Sequence, residues 1–170
     1  MNVEILKNIK VLVMDVDGVL TDGRIIVDSN GVESKNFDVQ DGLGIVLFRK
    51  CGLKTAIISA RQSEVVKFRA SDLSIDQVFV GVYPKISAYE EMIKNFGCSD
   101  SEVCFIGDDV VDLSVLNRVG FSVAVDNAVF EVKEAAHYVT KQRGGNGAVR
   151  EVIEMILKAK GLWTKELYAH

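Results

Sequence analysis

Short, unbroken, β-branched apolar runs punctuate the chain at Val11–Val16, Leu53–Ser59, Gln77–Val80, Val103–Ile106 and Phe121–Val125. A strand with one face in water alternates apolar and polar positions, whereas a run that is apolar throughout is buried on both faces, as in a parallel sheet. Between these runs, apolar residues recur at three- and four-residue spacing over Leu43–Lys50, Glu64–Leu73, Lys85–Phe96, Val110–Val119 and Phe130–Ala136, which predicts helices. The one proline, Pro84, immediately precedes a predicted helix, where its missing N–H costs nothing. Each parallel crossover needs a returning helix, so this alternation predicts an α/β fold with a doubly wound, Rossmann-like parallel sheet. Ligands of such a fold bind at the carboxyl ends of the strands.

One segment breaks the rhythm. Arg24–Val27, the turn Asp28-Ser29-Asn30-Gly31 and Val32–Phe37 read as a β-hairpin over 24–37 that projects from the sheet. After Thr140 comes the glycine-rich loop KQRGGNG and then an amphipathic helix over Ala148–Lys160. With 170 residues, 48% of them hydrophobic, the chain supports one core, expected as a single domain over residues 1–160. Residues 161–170 have weak periodicity and are expected to be a tail free to be disordered.

A net charge of −4 with no basic run gives no footprint for a nucleic-acid backbone or an anionic membrane surface, which leaves a small soluble molecule as the expected partner. Cys51, Cys98 and Cys104 are odd in number and irregularly spaced, unlike a disulfide framework or a zinc site. The amino-terminal MNVEILKNIK mixes charge into its apolar positions, and no apolar run reaches the length of a membrane span, so the expected location is cytoplasmic. His137 and His170 stand in no partner pattern and receive no role.

The candidate chemistry gathers at predicted strand ends. In MDVDGVLTDG, Asp15 and Asp17 share one side of an extended chain just where the first strand runs out. Two converging carboxylates repel each other unless a cation or a proton lies between them. The fourth strand ends in FIGDDVVD, with Asp108, Asp109 and Asp112 at a predicted helix start. Asp109 and Asp112 are explained equally well as helix caps. Asp108 stands at the end of a strand that a doubly wound sheet sets beside the first, and hard oxygen ligands from both strand ends suit Mg²⁺. Ser59 closes the second strand at the predicted mouth of a helix, a cradle for phosphate oxygens, and Lys85 opens the helix after the third strand with a compact positive charge. Singly, each residue has an ordinary structural explanation. Together every member has a role.

In this order, D-x-D-G, Ser, Lys and G-D-D-x-x-D, the set resembles the haloacid-dehalogenase-like phosphatase superfamily over roughly residues 10–150. The resemblance implies that Asp15 is the nucleophile that forms an aspartyl phosphate. It implies that Asp17 protonates the leaving oxygen and then deprotonates the hydrolytic water. By the same resemblance Mg²⁺ is held by the carboxylates of Asp15 and Asp108 and the main-chain carbonyl of Asp17, with Asp109 or Asp112 in support, while Ser59 and Lys85 bind the transferring phosphoryl group.

The intervals between these motifs leave no room for the cap domain of larger relatives, so an open site needs shielding from elsewhere, most simply from a neighbouring subunit. DVDGVLTDG, a hairpin ending KNF, DGLG at Asp41–Gly44, Arg61 after Ser59, GDDVVDL and RGGNGAVRE closely resemble the capless 3-deoxy-D-manno-octulosonate (KDO) 8-phosphate phosphatases of lipopolysaccharide synthesis. That likeness implies a phosphorylated sugar acid as substrate and a homotetramer built around the hairpins. It also implies substrate contacts from Arg61, whose planar fork suits a carboxylate, from Arg69, and from Arg143, Gly144 and Gly145 in a segment that closes over an adjacent site. A sister branch acting on a nine-carbon sugar-acid phosphate tends to carry an acid where this chain has Arg61. Ala60 replaces the family's usual glycine, which strains the loop by on the order of 1 kcal/mol if a positive backbone angle is needed there. Receiver-type signalling modules offer a similar residue set, but their phosphoacceptor follows the third strand, which here ends in Gly81-Val82. Intact motifs argue against a catalytically idle structural paralogue.

Overall fold

The computed structural model describes residues 3–168. In chain order the elements are α1 (Val3–Asn8), β1 (Val11–Met14), β2 (Ile26–Val27), β3 (Glu33–Ser34), α2 (Val39–Lys50), β4 (Lys54–Ser59), α3 (Glu64–Asp72), β5 (Gln77–Val80) and α4 (Lys85–Phe96). They continue with β6 (Val103–Gly107), α5 (Leu113–Leu116), β7 (Phe121–Ala124), α6 (Phe130–Ala135), β8 (Tyr138–Val139), α7 (Ala148–Ala159) and α8 (Lys165–Tyr168).

Six strands form one parallel sheet in the order β5-β4-β1-β6-β7-β8. Strand β1 is central, pairing Val11 with both Lys54 and Val103, so the carboxyl ends of β4, β1 and β6 lie side by side. All four β1 residues are buried, as expected for a strand covered on both faces. Two helix groups flank the sheet, α1, α2, α7 and α8 in one and α4, α5 and α6 in the other. Helix α7 buries Val149, Val152, Ile153, Ile156 and Leu157, a stripe at helical period that packs on α2. No cap domain is present: between Asp15 and Ser59 the chain holds only the hairpin and α2, and between Ser59 and Lys85 only α3 and β5.

Several elements differ from the sequence expectation. Helix α2 starts at Val39, four residues before the predicted Leu43, because the Asp38 carboxylate accepts the N–H groups of Gln40 and Asp41 and caps it. Gly42 and Gly44 had obscured that first turn, since glycine disfavours helix interiors. The predicted helix over Val110–Val119 is a 3₁₀ turn at Val110–Asp112 followed by the short α5, because Asp112 folds back onto the preceding loop. The hairpin pairs only Ile26–Val27 with Glu33–Ser34, less than the 24–37 span expected. Sequence periodicity missed α1 and the short edge strand β8. The expected tail is ordered over part of its length: α8 forms, and the Trp163 ring lies under the Arg150 guanidinium at 4.8 Å. Ala169 and His170 lie outside the described residues. Among those described, the three cysteines are free and no helix is long and apolar enough to cross a membrane.

Candidate active site

The parallel register brings the chemistry together. Asp15 extends the ladder beyond β1, donating its N–H to the Ile106 carbonyl at 3.0 Å, so its side chain emerges at the strand end and is 6% exposed. Ser59 is the last residue of β4, Asp108 follows β6, and Lys85 opens α4. Asp15, Asp17, Ser59, Ala60, Arg61, Lys85, Asp108, Asp109 and Val111 line one cleft of about 170 Å³. A larger groove of about 840 Å³ runs along α7, but its acidic residues are engaged, Glu151 with Tyr138 and the Lys141 and Gln142 N–H groups, and Glu154 with Arg150 and Lys158. The smaller cleft is where the residues at the strand ends converge.

Lys85 is the electrostatic centre. Its Nζ donates to Asp15 Oδ1 and Asp112 Oδ1, both at 2.6 Å, and its side chain is 1% exposed. Burial favours the neutral amine, but the two carboxylates outweigh it and raise the lysine above its ordinary range. Burial raises Asp15 to about 6, with Lys85 opposing and Asp112 adding to the shift. Burial and the like charges of Asp15, Asp112 and Asp109 raise Asp108 to about 8. Asp112 has little freedom to be a ligand, since Oδ1 accepts from Lys85 and Oδ2 accepts from the Asp108 and Asp109 N–H groups at 2.9 and 3.4 Å. Asp109 caps the 3₁₀ turn through the Val110 N–H.

The donor set fits a hard divalent cation. Carboxylate oxygens of Asp15, Asp108 and Asp112 lie within 4.8 Å of one another, and Lys85 is the one ammonium bonded among them. With all three ionised, three carboxylates against one ammonium would leave two negative charges uncompensated in a partly dry cleft, which is the charge Mg²⁺ would offset. The backbone is shaped to the same end. Gly18 has φ +94°, and a Cβ there would lie 2.0 Å from Asp108 Oδ2, so the glycine after D-x-D lets the two strand-end loops close on each other.

Ser59 is buried, and its Oγ accepts the Arg61 N–H at 3.3 Å. Helix α3 begins only at Glu64, so the cradle beside Ser59 is the 59–61 loop and not the helix mouth expected from sequence. Ala60 is unstrained, because Ser74 is the only non-glycine residue with positive φ among those described. Arg61 reaches the cleft half-exposed and bonds Glu33 at 3.0 Å, with its Nε 3.9 Å from Asp17 Oδ2. Arg69 does not line this cleft: its guanidinium pairs with Asp72 and covers Phe37, between α2 and α3. Arg143 is exposed. Gly144 and Gly145 pack against the chain's own 18–22 loop, where a Cβ on Gly144 would lie 1.7 Å from the Gly18 carbonyl oxygen. Asn127 fixes that contact, donating to the Gly18 carbonyl and accepting the Gly144 N–H.

Sequence reasoning missed Lys35, Glu33, Ser63 and Asn127. Lys35 places its Nζ 2.5 Å from Asp17 Oδ1 and 3.3 Å from Glu33. Ser63 donates to Glu33 at 2.5 Å. The hairpin ending KNF carried a signal for Lys35, but no spacing rule connects it to Asp17.

Comparison with known proteins identifies the family. Residues 54–153 match the haloacid dehalogenase-like hydrolase family, a stretch that includes Ser59, Lys85 and Asp108 and begins beyond Asp15. The 3-deoxy-D-manno-octulosonate 8-phosphate phosphatase of Yersinia pestis is 42% identical over 153 residues, covering 90% of this chain and 82% of that protein. Its Haemophilus influenzae namesake is 42% identical over 156 residues, covering 92% and 87%. The crystal structure of the Moraxella catarrhalis phosphatase of the same name, in complex with magnesium ion, phosphate ion and KDO, superposes with a TM-score of 0.91 at 42% identity, covering 94% of this chain and 91% of that one. The chain belongs to the haloacid dehalogenase-like hydrolases, in the family of the 3-deoxy-D-manno-octulosonate 8-phosphate phosphatases.

Proposed function

We infer that this chain is a magnesium-dependent phosphatase that hydrolyses 3-deoxy-D-manno-octulosonate 8-phosphate to KDO and phosphate in lipopolysaccharide synthesis. The observation that carries the reading is the convergence of Asp15, Asp17, Ser59, Lys85 and Asp108, which end or follow four adjacent strands, on one cleft.

An Asp15 carboxylate oxygen attacks phosphorus, and the bond from phosphorus to the sugar oxygen breaks as that oxygen takes a proton from Asp17. Asp17 then removes a proton from water, which attacks the aspartyl phosphate; the P–O bond to Asp15 breaks and inorganic phosphate leaves. Lys85 and the Ser59 hydroxyl, with the N–H groups of its loop, bind the equatorial phosphoryl oxygens. The Asp15 and Asp108 carboxylates and the Asp17 main-chain carbonyl would hold Mg²⁺, with Asp109 or Asp112 in support, and its charge would offset the repulsion between an anionic nucleophile and an anionic phosphate. Arg61 meets the carboxylate of the sugar acid at the open side of the cleft, exchanging Glu33 for it. Arg69 is engaged elsewhere in its own chain, and Gly144 and Gly145 act here by fitting the 18–22 loop, leaving Arg143 as the member of that segment free to reach a ligand.

The shield that a cap would provide comes in this reading from other copies of the chain in a homotetramer. The hairpin supports it by exposing Ile25, Ile26, Val27 and Val32 together, a set of apolar side chains that protein–protein contact would cover. The reaction belongs to the cytoplasm.

The test is phosphate release from KDO 8-phosphate, its nine-carbon analogue and hexose phosphates, with Mg²⁺ or EDTA, by wild type and Asp15→Asn. Expected is a metal-dependent preference for the eight-carbon acid, reduced at least about a thousandfold in the mutant. Preference for another substrate overturns the assignment, and a monomeric mass by light scattering overturns the tetramer.

A further inference from the structure

The hairpin touches the edge of the cleft, through Asp17 and Arg61, as well as projecting away from it. Lys35, just beyond β3, carries an ammonium on a side chain that is 1% exposed, a placement that is costly unless every charge near it is matched. Two carboxylates match it: Asp17 Oδ1 at 2.5 Å and Glu33 Oε1 at 3.3 Å. Glu33 is itself fixed, since its Oε2 accepts the Ser63 hydroxyl at 2.5 Å, a contact that remains when Arg61, 3.0 Å from Oε1, turns to the substrate. Lys35 is thus held from behind by a braced carboxylate and presents its remaining donors to Asp17.

The two oxygens of Asp17 are not equivalent. Oδ1 is clamped by Lys35, whereas Arg61 Nε stands 3.9 Å from Oδ2, beyond hydrogen-bond reach. From this asymmetry, and resting on the phosphatase reading above, we propose that Lys35 is a positioning residue: it locks the Asp17 carboxylate in one rotamer so that Oδ2 is the oxygen that gives a proton to the leaving group and takes one from water. Lys35 touches neither substrate nor phosphorus and acts through Asp17. The hairpin therefore serves the reaction of its own subunit, and the apolar strands beyond it are free to serve assembly.

The consequence depends on the leaving group. An alkoxide departs only with a proton, so mispositioning Asp17 slows the first step on a sugar phosphate. A p-nitrophenolate departs without one, so on p-nitrophenyl phosphate the first step survives and the second, which needs Asp17 as base, becomes limiting. The experiment measures both substrates with wild type, Lys35→Met and Lys35→Arg, in steady state and by rapid quench. For Lys35→Met we expect kcat on the sugar phosphate to fall on the order of 100-fold with KM nearly unchanged. With the aryl ester we expect a burst of one p-nitrophenolate per active site and an accumulated, acid-quenchable aspartyl phosphate. Lys35→Arg, which keeps a donor to Asp17, should recover most of the rate. Equal losses on both substrates with no burst, in Lys35→Met protein that melts like wild type, overturn the inference, as does wild-type turnover in Lys35→Met. If Lys35→Met does not fold, failure of Lys35→Arg to turn over the sugar phosphate while keeping its wild-type melting temperature overturns it instead. Absence of metal-dependent turnover by the wild-type chain is a different result, which removes the phosphatase reading and this inference with it.

Discussion

At the scale of single residues, the site is built by close approach as much as by charge. Gly18 and Asp108 come from loops that follow different strands, and the carboxylate occupies the space where a β-carbon would stand, 2.0 Å away. Gly18→Ala therefore combines a strained positive φ with displacement of the Asp108 carboxylate, which we propose binds the metal. We expect a stability loss of about 1 to 3 kcal/mol in urea unfolding and a higher Mg²⁺ concentration for half-maximal turnover. An unchanged Mg²⁺ dependence would mean that Asp108 relaxes freely, contrary to its packing. The same residue scale shows what a sequence can disclose. Asp15, Ser59 and Asp108 were legible because each ends or directly follows an apolar run, and a parallel sheet sends strand ends to one edge. Lys35 and Glu33 were not, because their reach to Asp17 and Arg61 depends on how a two-residue strand pair folds over the sheet edge. Asn127 was hidden for a similar reason: it joins two backbone segments, Gly18 and Gly144, that are distant in sequence.

At the scale of elements, β1, β4, β5, β6 and β7 were legible as apolar runs, and the helices that were missed or misjudged are those with short or glycine-interrupted periods. DGLG is the instructive case. Only its second half falls in the predicted helix, yet all four residues lie in α2, and Asp41 has a structural task there: its carboxylate, 1% exposed, accepts the Arg150 N–H at 2.7 Å and so caps α7 from another helix. Its second oxygen, Oδ2, has no partner among the described residues, and burial raises Asp41 from 3.8 to about 6. Because the folded chain holds this proton more tightly than the unfolded chain, the stabilising contribution is complete below about pH 4 and is lost as pH rises through about 6. A shift of that size corresponds to about 3 kcal/mol. Asp41→Asn keeps an acceptor for Arg150 and carries no charge to desolvate. At constant Mg²⁺, the difference in unfolding free energy between wild type and Asp41→Asn should favour the mutant at pH 7 by about 1 to 3 kcal/mol and shrink toward pH 4. A difference independent of pH over that range would assign the carboxylate a solvated, unshifted state.

For the molecule as a whole, the site is a local excess of negative charge that the fold tolerates for the sake of a ligand. Burial and neighbouring carboxylates raise Asp108 to about 8, which means that folding forces this group toward its neutral form when no cation is present. The hydrophobic core, with all of β1 and the stripe of α7 buried, supplies the stability that offsets this cost. Global stability should therefore depend on the metal. For wild type, Mg²⁺ at about 100 times its dissociation constant adds about 2.7 kcal/mol. For a chain of this size that is a rise of roughly 5 to 10 °C in melting temperature. Asp108→Asn removes one of the clustered charges and one proposed ligand together, so the two conditions should respond in opposite directions. In EDTA the mutant should melt above wild type, by on the order of 1 to 3 kcal/mol of relieved repulsion. In Mg²⁺ it should melt below wild type, because the shift on adding metal is largely abolished. This crossing of the two melting curves distinguishes a ligand cluster from a merely structural one: were Asp108 a stabilising partner of its surroundings, its replacement would lower the melting temperature with and without metal alike.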